Sequence, residues 1–486
     1  YATTNVKNDG AFKAADINVH GGATFTYVGG GKMTASSLGV DKDGVMNLGS
    51  SDARGNVVLN AAGSGQTGII SGALNVTNTD LVVTGSSSSQ FWIDGGTMTV
   101  DKGSKVDLSV GTTLRVGNEN AGKLNVLGGS TLTGGANNLW VYDNSTINVS
   151  GKDSVMGVCN DTDHYNYRVL MGITNHNGAQ GSATQTINVT EGGKFTSSAT
   201  QFVTNFHSNT TTNIEVSGEN SLFHQTGKTV NKNHYVVGTT GEWVEVNGKW
   251  LDKGSTGDGK YVAGQGDTIT YLLSNGTDKD GVLGYPVENA KVNISAKDGG
   301  TVKFDSALTY VGNVGVSDAY IKANENNKAI FTVGDKASMS FKQMELYANT
   351  VIIFEKPVSG GSTSGSIGDI INGSNADKYT TGGSFSADKI TVHAGTQLDV
   401  KGNGTDSGSQ LNGTGKSNDE ALVVDGHMVV KNANLVMKGS SSQLGIGYNG
   451  NGTMEVINSK IDISEGSTLH MGYNAEYTGK LVLDNS

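Results

Sequence analysis

Apolar residues in this chain recur in pairs split by one outward residue, and the pairs return about every 25 residues. Phe91/Ile93, Met98/Val100 and Val106/Leu108 are followed by Leu114/Val116, Leu124/Val126 and Leu132, then by Leu139/Val141, Ile147/Val149 and Val155. Each pair reads as a short strand with one buried face, because side chains alternate along a strand. First strands are offset by 23 and 25 residues, second strands by 26 and 23, and third strands by 26 and 23. Three strands per period make one turn of a coil. β-Sandwich domains would also give short strands and turns, but not matched offsets at three strand positions together. The spacing therefore predicts an all-β chain, a right-handed parallel β-helix with three strands per coil.

The cadence extends upstream through Leu74/Val76 and Leu81/Val83 and resumes downstream at Leu422/Val424, Met428/Val430 and Leu435/Met437, continuing to Leu481/Leu483. Glycine supplies 72 of 486 residues and proline only two, which excludes a proline-rich linker. Gly95-Gly96, Gly128-Gly129 and Gly192-Gly193 fall between strands, where a tight corner needs positive φ. A formal charge of -11, with no clustered Lys/Arg stripe, argues against a nucleic-acid partner. No apolar run reaches the eighteen or so residues of a membrane-spanning helix. The single cysteine, Cys159, rules out an internal disulfide framework.

The repeat has a recognisable form: Leu-x-Val-Gly, a few polar residues, Gly-Lys-Leu-x-Val, then a Gly-Gly-Ser corner. Leu114, Val116, Gly117, Gly122, Leu124 and Val126 carry it first. It returns at Leu444, Ile446, Gly447, Gly452, Met454 and Val456, and at Leu469, Met471, Gly472, Gly479, Leu481 and Leu483. This pattern resembles the passenger-associated repeat of autotransporter adhesins, the type V secreted surface proteins of Gram-negative bacteria. The resemblance implies a passenger displayed at the cell surface or released outside the cell, carried through the outer membrane by a C-terminal translocator β-barrel that this chain, ending in mid-coil at Ser486, does not include. It also implies attachment to a host-cell receptor or glycan, or to an identical passenger on a neighbouring cell, with autoaggregation and biofilm formation as consequences.

Recognition residues are expected where the cadence fails. Coils are read over residues 1–222 and 290–486, with an inserted hairpin or subdomain over 223–289 and glycine-rich loops near 358–385 and 401–420. Within the insertion, Asn247-Gly248 is the dipeptide of a two-residue type I′ turn, flanked by Trp243, Val246, Lys249 and Trp250. Trp243 and Trp250, with nearby His234 and Tyr235, form the candidate binding surface, since Trp and Tyr are enriched at binding hot spots. The same aromatics would equally serve as the core of a small packed subdomain.

No catalytic residue, metal site or cofactor is assigned. The segment Gly404-Thr405-Asp406-Ser407-Gly408-Ser409 lacks a supporting His and Asp for a serine nucleophile. The stretch from Cys159 to Tyr167 collects Asp161, Asp163 and His164 without paired zinc-ligand spacing. A polysaccharide-degrading β-helix, the enzymatic alternative, needs carboxylates stacked on one face; the period sets Asp107 over Thr133 and Met156, and Glu455 over Val482, with no acidic column. A structural stalk or fibre segment is the other alternative. What the outward positions do offer is a neutral ladder: Asn125, Asn148 and then the Thr and Ser around position 174, a surface for an identical rod to join by many weak bonds.

Overall fold

The computed structural model describes residues 3–7, 10–61, 65–85, 89–110, 113–135, 138–159, 168–174, 182–227, 243–246, 249–252, 268–274, 276, 287–314, 318–355, 383–402, 410–414, 420–438, 442–463 and 468–486. Among these, strands dominate and one short helix, Asp318–Ala323, is present. Two compact units are formed. One comprises Tyr1–Glu215, Asn220–Thr268 and Gly276–Leu283; the other comprises Val216–Glu219, Ile269–Asn275 and Gly284–Ser486.

In the first unit the strands Ala73–Thr77, Thr97–Asp101, Lys123–Val126, Thr146–Ser150 and Ala183–Thr190 pair in parallel, each with its equivalent one coil on. A second stack runs through Thr79–Gly85, Lys105–Asp107, Thr131–Gly134, Val155–Val158 and Lys194–Ser197. A third runs through Gln66–Ile70, Gln90–Ile93, Thr113–Val116, Asn138–Tyr142, Arg168–Ile173 and Gln201–Val203. Three parallel stacks visited in rotation are a parallel β-helix with three strands per coil.

The alternation of apolar and polar residues explains the core directly. Leu74, Met98, Leu124, Ile147 and Ile187 lie in register, as do Val76, Val100, Val126, Val149 and Val189, and all ten are fully buried. Larger coils are filled by rings: Phe195 stacks on Phe223 at 5.1 Å between centroids.

The second unit repeats the arrangement. Lys291–Lys297, Lys328–Val333, Asn349–Phe354, Gln397–Lys401, His427–Lys431, Gly452–Ile457 and Gly479–Asp484 form one stack. Ser338–Leu346 and Ser384–Val392 each run through two faces of the coil as one long strand, pairing with each other along their length. Ile269–Leu272, inside the stretch read as an insertion over 223–289, is a coil strand paired with Leu308–Val311. All four of its residues are buried, Thr270 included; Ile269 and Tyr271 split by Thr270 carry the same alternation as the other strands, but they stand where the even spacing is lost.

The glycines of the repeat have two distinct jobs. Gly117, Gly447 and Gly472 adopt φ of 80°, 72° and 60°, the left-handed turn that follows each Leu-x-Val strand. Gly122, Gly452 and Gly479 lie against the carbonyls of Ile93, Val424 and Ile446 in the preceding coil, too close for a Cβ. At the corners, buried hydroxyls take over the backbone donors that a strand ladder leaves unpaired. Thr79 N–H donates to Ser104 Oγ at 3.0 Å, Ser104 N–H to Ser130 Oγ at 3.1 Å, and Gly129 N–H to Ser154 Oγ at 3.1 Å. These serines are 0% exposed.

Ser104 Oγ also donates to the Asp101 carbonyl at 2.6 Å. Ser104→Ala therefore strands the buried Thr79 amide and is expected to cost about 1–3 kcal/mol, measured by urea unfolding, with faster hydrogen exchange at Thr79. An unchanged midpoint and unchanged exchange would show that the serine column carries no stability.

Candidate functional site

The outward row of the first stack in the first unit is an amide and hydroxyl ladder. Register aligns Thr26, Asn47, Asn75, Thr99, Asn125, Asn148 and Asn188 across successive coils. Asn188 Nδ2 donates to Asn148 Oδ1 at 2.8 Å, Asn148 Nδ2 to Asn125 Oδ1 at 2.8 Å, and Asn125 Nδ2 to Thr99 Oγ1 at 3.3 Å. Lower down, Asn75 Nδ2 donates to Asn47 Oδ1 at 2.9 Å and Asn47 Nδ2 to Thr26 Oγ1 at 3.2 Å. The rung after Asn148 is thus Asn188 and not the residues around position 174, because that coil is forty residues long and a 25-residue step falls short of the next rung.

Asn47, Asn125 and Asn148 each spend one N–H and one lone pair on their neighbours, and a carboxamide has two N–H groups and two lone pairs. Half-buried rungs therefore retain hydrogen-bonding capacity toward the outside. The adjacent row in the same register is Thr24, Val45, Ala73, Thr97, Lys123, Thr146 and Thr186. Neither row contains a carboxylate. In the second unit the corresponding row is Asn293, Ile330, Val351, Asp399, Val429, Glu455 and Val482, so the neutral ladder is a property of the first unit.

The predicted hairpin is present as an antiparallel pair, Trp243–Val246 with Lys249–Asp252. Its register sets Trp243 opposite Asp252 and Glu245 opposite Trp250, leaving the two-residue connection that Asn247-Gly248 implies. His234 and Tyr235 lie outside the described residues, as do Gly404-Thr405-Asp406-Ser407-Gly408-Ser409 and most of the loops near 358–385 and 401–420.

Two constellations lie outside the predicted site. In the second unit, Glu345 accepts from Gln343 Nε2 at 2.7 Å and from Thr391 Oγ1 at 3.3 Å, and lies 2.7 Å from His393 Nε2. The His393 ring stacks on Tyr347 at 4.0 Å, and burial, with the Glu345 charge second, raises the Tyr347 hydroxyl above its ordinary range. Both oxygens of Glu345 are engaged, which suits holding His393 in place. Forty-eight residues separate the two, so no fixed period could have paired them.

In the first unit, Trp92, Arg115 and Trp140 align on the third stack. The Arg115 guanidinium sits 4.6 Å from the Trp92 ring and 4.3 Å from the Trp140 ring. The signal was in the sequence, since 92, 115 and 140 are spaced by the coil period.

Among the described residues no three His, Cys, Asp or Glu side chains gather as a metal ion requires. Asp107 is followed in register by Thr133 and Gly157, not Met156 as the period suggested; Glu455 is followed by Val482. The strand Val155–Val158 turns Met156 and Val158 inward and Val155 outward, one residue later than the spacing implied. Cys159 is fully buried, its Sγ donating toward the Arg168 carbonyl at 3.8 Å, and Asp161, Asp163 and His164 lie outside the described residues.

No family model matches the sequence. No curated protein matches it. Among solved structures, the crystal structure of a TibC-catalysed hyper-glycosylated TibA55-350 fragment aligns over 99% of this chain and 100% of that chain, at 11% identity and a TM-score of 0.23. At that TM-score the similarity carries no argument, and the fold assignment rests on the register of the strands.

Burial, opposed by one backbone hydrogen bond, pushes the Cys159 thiol up to about 12. Because the thiolate is the reactive form, iodoacetamide at pH 8 is expected to leave Cys159 unlabelled in the native chain and to label it fully in denaturant, as read by mass spectrometry. Rapid labelling of the native chain would place the thiol at the surface.

Proposed function

We propose that the chain is the passenger of an autotransporter adhesin, a non-enzymatic cell-surface or extracellular β-helix that attaches bacteria to host or neighbouring cells. The resemblance of its repeats to passenger-associated repeats supports the class. The observation that carries the attachment reading is the neutral ladder from Thr26 to Asn188, with its row of Thr97, Lys123, Thr146 and Thr186 alongside.

A chain with net charge -11 repels a copy of itself over most of its surface. A carboxylate-free strip lowers that repulsion locally, and repeated amides and hydroxyls offer many weak bonds in parallel. Self-association through this strip is the mode of attachment that the surface favours. In this reading the translocator barrel lies C-terminal to the chain in the full-length protein and anchors it in the outer membrane.

Display of the chain on a non-aggregating bacterium should make the cells settle. Thr97→Glu with Thr146→Glu places carboxylates on the strip without removing a ladder amide, and should abolish settling while the thermal midpoint stays within a few degrees. Settling unaffected by both charges would sink the strip as the contact. Reducing sugar released from a polysaccharide panel would overturn the adhesin reading in favour of an enzyme.

A further inference from the structure

The Trp92–Arg115–Trp140 column lies on a different stack from the ladder, and its chemistry is different. Arg115 carries a charge with no carboxylate beside it: among the described residues its one hydrogen bond is a long 3.4 Å contact from Nη1 to Asn118 Oδ1. Arg115 Nε is enclosed and has no partner, and Trp140 Nε1 is likewise enclosed and unpartnered. By contrast, Trp92 Nε1 donates to Gln90 Oε1 at 2.8 Å, and Arg54, another arginine of the same unit, is fully engaged by Asp80.

The indole faces compensate part of the charge, since a guanidinium stacks well on aromatic rings. They supply no acceptor, however, for a group that carries five N–H donors in a planar fork. With a ring on either side, the fork meets solvent along its rim, and a planar carboxylate is the anion that matches a planar fork.

The residues around the column say what kind of molecule brings that carboxylate. Two positions earlier on the strands of the column, register aligns Gln90, Thr113, Asn138 and Arg168, with Gln66 before Gln90 across a register shift, and the row of the column itself passes from Gly39 through the exposed Ile69 to Trp92. This gives an aromatic and aliphatic row carrying Arg115, beside a parallel row of amides and a hydroxyl that continues to a second arginine, Arg168, with no carboxylate in the rows from Gln66 to Arg168 or from Ile69 to Trp140. Rings and amides side by side are suited to the alternating C–H and hydroxyl surface of a sugar chain.

We propose that Trp92, Arg115, Trp140 and the flanking Gln90, Thr113 and Asn138 form a binding site for an acidic polysaccharide, with the sugar carboxylate on the Arg115 guanidinium. The site is independent of the ladder and of self-association through it. Burial lowers the Arg115 guanidinium below its ordinary range; an arginine keeps its proton in a folded protein, and the site is cationic.

The test is calorimetric titration of the whole chain with a glucuronate-containing oligosaccharide, its carboxyl-reduced neutral counterpart, and hexaglutamate peptide. Binding of the acidic sugar alone is expected. Arg115→Gln should weaken it by about tenfold or more, the loss of a charge-assisted pair, and Arg115→Lys should also weaken it because the fork is gone. Thr113→Glu keeps the guanidinium and the stack but supplies an internal carboxylate on the same strand face; it should weaken binding comparably in a chain whose circular dichroism is unchanged. Equal binding of the neutral sugar, equal binding of hexaglutamate, no heat with the acidic sugar at about 10 mM, or full affinity in Thr113→Glu would each overturn the proposal.

Discussion

Everything in this molecule depends on one constraint: each strand must find its hydrogen-bond partner in the equivalent strand one coil away. Parallel pairing at about 4.8 Å per coil forces like to stack on like. The inward consequence is the aliphatic columns, Leu74 to Ile187 and Val76 to Val189, where every layer presents a side chain of similar volume to the next. The corner consequence is the serine column, which closes backbone donors the strands cannot reach. The outward consequence is that any residue type chosen at one coil is multiplied along the face.

Function follows from that multiplication. An isolated surface asparagine is unremarkable, but a ladder from Asn125 through Asn148 to Asn188 fixes each amide through its neighbours and presents a periodic, uncharged strip. The same rule applied at another face brings Trp92, Arg115 and Trp140 together, and cation–π stacking then holds a guanidinium where no carboxylate accompanies it. The coil gives both surfaces their order, while the residues that occupy it give them different chemistry, a neutral row of amides and hydroxyls on one and a guanidinium stacked between two rings on the other.

The class of fold was legible because alternation and period are both visible in a single chain, and the strand pairs from Phe91 to Val149 stack as the spacing indicated. Misplacements have local causes. Val155-Met156-Gly157-Val158 is apolar on both faces, so its phase is ambiguous by pattern and only the register resolves it. Ile269–Leu272 does carry an alternating pair, Ile269/Tyr271, but it stands apart from the 25-residue spacing that marks the other strands as coil. The rung at Asn188 and the pairing of Glu345 with His393 lie beyond insertions that change coil length, and a fixed period cannot count across them. The Trp92–Arg115–Trp140 column keeps the coil period, with spacings of 23 and 25 residues. A cation between two rings is recognised only once the three positions share a face.

The central claim is that two copies meet along the Asn/Thr strip of the first unit, and cysteine cross-linking between displayed chains tests it most directly. The buried Cys159 thiol leaves a surface with no competing native cysteine. Thr146→Cys on the strip should yield disulfide-linked dimers when two populations of displaying cells are mixed and oxidised, whereas Thr133→Cys on another stack should not. Dimers formed equally by both variants, or by Thr133→Cys alone, would contradict the strip as the meeting surface.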